Sequence, residues 1–347
     1  MPAHDGDRVV MARAGQIAVA LALVMTAAGA IGCGHDQGRA PVTATPEPPP
    51  AGTERLLAML PQGAQVVIEV DLARLRTNPV VGAVVTRALA DPDSGGSGEP
   101  PGAPATAWLR GVLRGAVPES PLIAADQLVL AAYGVGTAQA ATLTLLAAPR
   151  DIAGADRVAE GVYALGPPEW VDQAEQRVAM AGTGAAGFAI RAAPELLALR
   201  AHAMPAEAPG ASLRMTAQLS FDARVALARQ TGLEVAPAQI SAWGDVADDL
   251  ALVVDCDASD PGSPGPGARR GDASRRLATT LRTVLTGVAE LPAIRRLGLP
   301  SSLEGARLIA RGSWVRTIIA VGPEHLHRVV ERAVELLAAP ASGGGPP

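Results

Sequence analysis

Short apolar runs rich in β-branched residues recur along the chain, and each predicts a strand. They are Ala64–Val70 (AQVVIEV), Gln127–Tyr133 (QLVLAAY), Ala141–Ala148 (ATLTLLAA), Leu213–Ser220 (LRMTAQLS), Ile240–Val246, Leu250–Asp257, Ala306–Arg311 and Trp314–Val321. Helical spacing predicts helices over about Pro79–Ala90, Ala273–Leu291 and Pro323–Leu337, with another holding Trp108. Three times a short apolar strand gives way to Pro-Glu and a helix, at Pro168-Glu169, Pro194-Glu195 and Pro323-Glu324. Proline suits a first helical turn because its missing N–H has no partner there. The adjoining glutamate complements the positive end of the helix dipole. Asp71 follows the first strand and is placed to cap the next helix, and Asp222 starts a helix in the same manner.

The second part of the chain reads as strand–strand–helix twice in succession. This favours an α+β fold: antiparallel sheets with helices packed on one face, in two related halves with ββα units. The expected organisation is a signal peptide over residues 1–32, a Pro-rich tether over 33–54, an N-terminal α+β half over 55–208, a C-terminal α+β half over 209–338 and a disordered tail over 339–347. A Gly/Pro-rich stretch at about 91–105 reads as a disordered insertion in the first half.

Composition narrows the function classes. Hydrophobic residues make up 48% of the chain but aromatics only 2%, so Ala, Val and Leu must fill the core through close backbone packing. No lysine occurs, the formal charge is −5, and no basic stripe is present, which argues against a nucleic-acid partner. The two cysteines, Cys33 and Cys256, lie far apart, so no disulfide framework is expected. Cys256 reads as a small buried strand residue.

The start of the chain carries the clearest functional signal. Arg8 and Arg13 precede an uncharged apolar run, Gly15–Ile31, which is the pattern of an export signal. As a helix this run would span about 25 Å, short of a hydrocarbon core of about 30 Å, so a permanent span is the weaker reading. The run ends in Ala30-Ile31-Gly32-Cys33, which resembles the lipobox of bacterial lipoproteins. With the Pro-rich spacer HDQGRAPVTATPEPPPAGT, the VDLARLR strand-to-helix opening and the late ββα units, the chain resembles uncharacterised lipoproteins of Gram-negative bacteria. That resemblance implies lipidation of Cys33 by acyl chains such as palmitate, and Gly34 after the cysteine implies the outer membrane, facing the periplasm. It implies no activity. Ala28-Gly29-Ala30 also reads as an A-x-A cleavage site that would release a soluble chain, and the spacer favours the tether.

Candidate chemistry is sparse. Gly182–Gly187 (GTGAAG) matches G-x-G-x-x-G, but a strand-like FAIRA follows it and the next helix waits until Pro194. A Gly-rich hairpin turn is therefore the expectation, and no cofactor is expected. Asp255 and Asp257 are weak metal candidates. The loop they open has Asp260 where an EF-hand needs glycine and Pro266 where it needs glutamate, so a solvated strand face is the preferred reading. His325 and His327 diverge on one helix and cannot chelate together. No catalytic residue is nominated. The expected role is a non-enzymatic binding or scaffolding module, tethered to the membrane and open to an envelope protein partner. A periplasmic hydrolase or small-ligand receptor with its site between the halves is the alternative.

Overall fold

The structure is a computed structural model, and it describes residues 53–90, 121–183, 194–203, 210–231, 236–259 and 270–338. In chain order the elements are α1 (Thr53–Met59), β1 (Val66–Asp71), α2 (Leu72–Thr77), α3 (Gly82–Ala90), α4 (Pro121–Ala124), β2 (Gln127–Tyr133), β3 (Ala141–Ala147), β4 (Asp156–Ala159), β5 (Val162–Leu165) and α5 (Pro168–Thr183). There follow α6 (Pro194–Arg200), β6 (Leu213–Gln218), α7 (Phe221–Thr231), β7 (Gln239–Val246), β8 (Leu250–Asp257), α8 (Arg270–Ala289), α9 (Pro292–Leu297), α10 (Pro300–Glu304), β9 (Arg307–Arg311), β10 (Trp314–Val321) and α11 (Pro323–Ala338).

All ten strands join one sheet in the order β4-β5-β3-β2-β1-β6-β7-β8-β10-β9, and each neighbouring pair is antiparallel. The fold is α+β. Read outward from the centre, β1–β5 and β6–β10 follow the same path: first, second, third, fifth and fourth strand. Asp71 faces Gln127 across β1–β2, and Gln218 faces Gln239 across β6–β7. Superposing those two pairs sets Ile68 on Met215, and Ile68 and Met215 face one another in the central β1–β6 pair. An approximate two-fold axis normal to the sheet therefore passes through that pair. The two halves share one topology and one continuous sheet.

Local chemistry explains most element starts. The Asp71 carboxylate accepts the backbone N–H of Arg74 at 2.8 Å and caps α2. Asn78 Oδ1 accepts from Val80 and Val81 and leads into α3. Each Pro-Glu pair opens a helix: α5, α6 and α11. For α7 the cap is Ser220, whose Oγ accepts from Ala223 N, and Asp222 sits within the first turn as the dipole partner.

Alternation along β1–β10 sorts the core onto two faces. One face carries Val66, Met215, Ala242, Leu252, Val254, Cys256, Val315 and Ile319 against α8–α11, and continues over Leu128, Leu130 and Leu146. The second face, over the N-terminal half, carries Val67, Val129, Ala131, Leu143, Leu145 and Ala164 against α1 and α5. Tyr133 stacks on Trp170 of α5 there, with centroids 3.9 Å apart. Helices thus lie on both faces, whereas the sequence pattern predicted one. The reason is visible in β2, where every residue after Gln127 is buried: a strand covered on both sides shows no alternation to read. By contrast β10 alternates buried and part-exposed positions for most of its length.

Candidate functional site

In the C-terminal half the second face is built differently. Many of its positions are polar or charged where the N-terminal half is apolar: Arg214 and Thr216 on β6, Ser241, Trp243 and Asp245 on β7, Asp255 and Asp257 on β8, Trp314 and Arg316 on β10. In the β1–β6 register Glu69 stands directly opposite Arg214 on this face.

Three carboxylates are each gripped by one arginine through two hydrogen bonds. Arg200, at the end of α6, donates from Nε and Nη2 to the two oxygens of Glu69 at 2.6 and 2.8 Å, and from Nη1 to Glu54 at 3.5 Å. Arg74 donates to both oxygens of Asp245 at 2.9 and 2.5 Å, and Ser212 Oγ adds a third bond at 2.8 Å. Arg316 donates to both oxygens of Asp255 at 2.8 and 2.6 Å, and its Nη2 also reaches the His202 carbonyl at 3.1 Å. Fork-on-fork geometry of this kind is the strong form of an ion pair. Glu69 is only 3% exposed and Asp255 1%, so removing either arginine would take the main partner from a buried carboxylate, at a cost of up to about 3–5 kcal/mol.

His202 completes the third cluster. Its Nδ1 lies 2.8 Å from Asp255 Oδ2, and its ring stacks on Trp314 with centroids 3.8 Å apart. A carboxylate held by arginine can only accept, so Nδ1 carries the proton. Asp255 is thereby shared between a histidine and an arginine. The bond to Asp255 also holds the Arg316 guanidinium above its ordinary pKa. Burial, with Arg200 nearby, lowers that of Arg214, while Glu69 and Glu54 pull the other way.

A small cavity of about 280 Å³ opens where the halves meet, lined by Glu54, Glu69, Asp71, Arg200 and Arg214 among others. A larger, open depression of about 570 Å³ lies at the β4–β5 end around Arg150, Asp151, Arg157 and Tyr163.

The nominated residues fall as follows. Cys33, the lipidation candidate, lies outside the described residues. Asp255 and Asp257 do share a strand face, but that face is buried at both positions, not solvated. Asp255 is engaged by Arg316 and His202, and Asp257 accepts from Ser259 through N–H and hydroxyl at 3.0 and 2.7 Å. No cluster of metal-ligating side chains occurs among the described residues. Gly182 and Thr183 belong to α5 in place of the expected hairpin turn, because the helix begun at Pro168 runs on through them; the rest of that motif lies outside the described residues. His325 and His327 diverge, with Nε2 of the first 2.7 Å from Gly298 O and Nδ1 of the second 2.9 Å from Pro323 O. Cys256 is buried on β8, and desolvation pushes its thiol up to about 12.

Sequence reasoning passed over Glu69, Arg200, His202 and Arg316. The signal was a lone charge inside an apolar strand, as in VVIEV and WVRT, where a buried charge demands a partner. The identity of each partner needed the register: Arg316 lies directly opposite Asp255.

Among the described residues no helix is long and apolar enough to cross a membrane. No family model matches the chain, and no curated protein does. Among solved structures the chain is similar to crystal form I of TP0453, at 8% identity and a TM-score of 0.36, covering 82% of this chain and 98% of that one.

Proposed function

We propose that the protein is an exported module anchored to the cell envelope by a lipid on Cys33, with the folded part serving to bind or scaffold a partner on the periplasmic side of the outer membrane. The observation that supports the non-enzymatic part is the pairing of its buried acids. Glu69, Asp245 and Asp255 each accept two hydrogen bonds from one arginine, an arrangement that favours a structural over a general-base role. The tether rests on the lipobox-like Ala30-Ile31-Gly32-Cys33 and the Pro-rich spacer after it. Two signals or several acyl chains are what stable anchoring requires, and a lipidated cysteine in this resemblance supplies several chains.

A second reading keeps the cavity of about 280 Å³ at the junction as the pocket of a small-ligand receptor or hydrolase. Asp71 and Glu54 are the carboxylates there outside the Arg200–Glu69 fork, and Asp71, whose side chain already caps α2, is the less exposed of the two. Chromogenic ester, glycoside and phosphate substrates separate the two readings. The binding-module reading expects no turnover above buffer from the wild-type chain; turnover that falls in a folded Asp71→Asn variant would establish the second reading instead.

A further inference from the structure

A sheet of ten strands has two edges, and this one treats them differently. At one end β4 is four residues long, its outer residues Asp156 and Arg157 are exposed, and its pairing with β5 slips between Arg157 and Ala159. Short, charged and bulged strands are how an edge is closed to further pairing. At the other end β9 keeps an unbroken register with β10 over all five residues, from Arg307↔Ile318 to Arg311↔Trp314. Among the described residues its far side pairs with no strand.

The turn between β9 and β10 is Gly312-Ser313, a two-residue connection. Such a turn makes the flanking pair, Arg311 and Trp314, mutually hydrogen-bonded, and the alternation then directs the N–H and C=O of Ala310 and Leu308 away from β10. Ala310 is exposed. On the second face of the sheet β9 presents Arg307, Ile309 and Arg311 in a row, with both arginines exposed. Neither arginine has a side-chain hydrogen bond or ion pair among the described residues. Beside them Val253 on β8 and Ile318 on β10 are half-buried and belong to none of the core clusters.

A second copy of this chain is a poor occupant for that edge in the register that would align the two copies of Ile309. Antiparallel self-pairing centred on Ile309 would set Arg307 of one copy against Arg311 of the other, and like charges directly opposite are destabilising. The complement of Arg-x-Ile-x-Arg is a strand reading acidic–x–apolar–x–acidic. We infer that β9 is a docking edge for an extended, acidic polypeptide segment of that pattern, which adds an eleventh strand beside Arg307, Ile309 and Arg311. The inference rests on the binding-module reading and names its partner class.

The test uses the full mature chain in detergent and fluorescein-labelled Thr-Glu-Thr-Val-Thr-Glu-Thr, with the same peptide carrying lysine for glutamate as control. Anisotropy should show the acidic peptide binding about tenfold tighter. The double variant R307E/R311E should reverse that order. Ala310→Pro removes one outward N–H while leaving the bonds to β10, and should abolish binding of the acidic peptide with the far-UV spectrum unchanged. Equal affinity for the two peptides, no binding of either, or full binding by the folded Ala310→Pro variant would each overturn the inference. So would arginine-dependent binding to phosphatidylglycerol vesicles in place of the peptide. None of these outcomes touches the substrate test above, so failure of the docking edge and failure of the module reading are separable.

Discussion

At the scale of single residues, the chain places its charges where the sheet needs them as ties. Arg74 on α2 holds Asp245 on β7, and Arg200 at the end of α6 reaches back to Glu69 on β1, so two ion pairs fasten elements more than a hundred residues apart in sequence. Cys256 shows the opposite treatment, an ionisable group kept neutral by burial. Its ordinary pKa of 9.0 is raised to about 12, so between these values the folded chain holds a proton that the unfolded chain has lost. Stability should therefore fall by about 1.4 kcal/mol per pH unit as pH rises from 9 towards 12. Buried Tyr133, also raised, joins in above pH 10 and steepens the slope. Urea titrations across this range should show the decline, and Cys256→Ala should flatten its first unit; a wild-type stability constant from pH 8 to 10 would contradict the burial argument. That Cys256 is an inert core residue was legible in the sequence, because it sits in LVVDCD. The fate of its neighbours was not. Asp255 and Asp257 alternate with apolar residues as a solvated face would, and only Arg316 and His202, remote in sequence, turn the Asp255 position into an interior one.

At the scale of elements, strands and helix starts were the readable part. Period, β-branching and the Pro-Glu pairs located eight of the strands and three helix N-termini, since each depends on residues close in sequence. The short α9 and α10 were missed because six and five residues carry too little periodicity to register. The connection from β2 to β3 shows how tightly one element can constrain another. Gly136 has φ +84°, and a Cβ there would lie 2.9 Å from the backbone of Ala223 at the start of α7. Gly312 also has a positive φ, +59°, but would meet nothing within 4 Å. Gly136→Ala should thus cost about 1–3 kcal/mol, and Gly312→Ala only the conformational part, about 1 kcal/mol. Thermal melts should rank the two in that order. Equal losses would mean that α7 yields to the loop.

At the scale of the whole molecule, one topology occurs twice about the Ile68–Met215 pair, yet the two halves have diverged. VVIEVD and LRMTAQ occupy equivalent places in β1 and β6, which is why the kinship of the halves was visible in element order but not in residues. The final helices parted company too: α5 covers the second face of its half, while α11 packs with the first. The C-terminal half was left with a polar, ion-paired second face and, among the described residues, a β9 edge with no further strand on it. The proposed envelope location rests on Cys33. The intact mass of the chain purified from membranes tests that most directly. The account predicts loss of residues 1–32 and an added mass of acyl chains on Cys33, with the Cys33→Ala chain moving to the soluble fraction. A mature chain that begins after Ala30, carries no lipid and fractionates as wild type when Cys33 is replaced would contradict it.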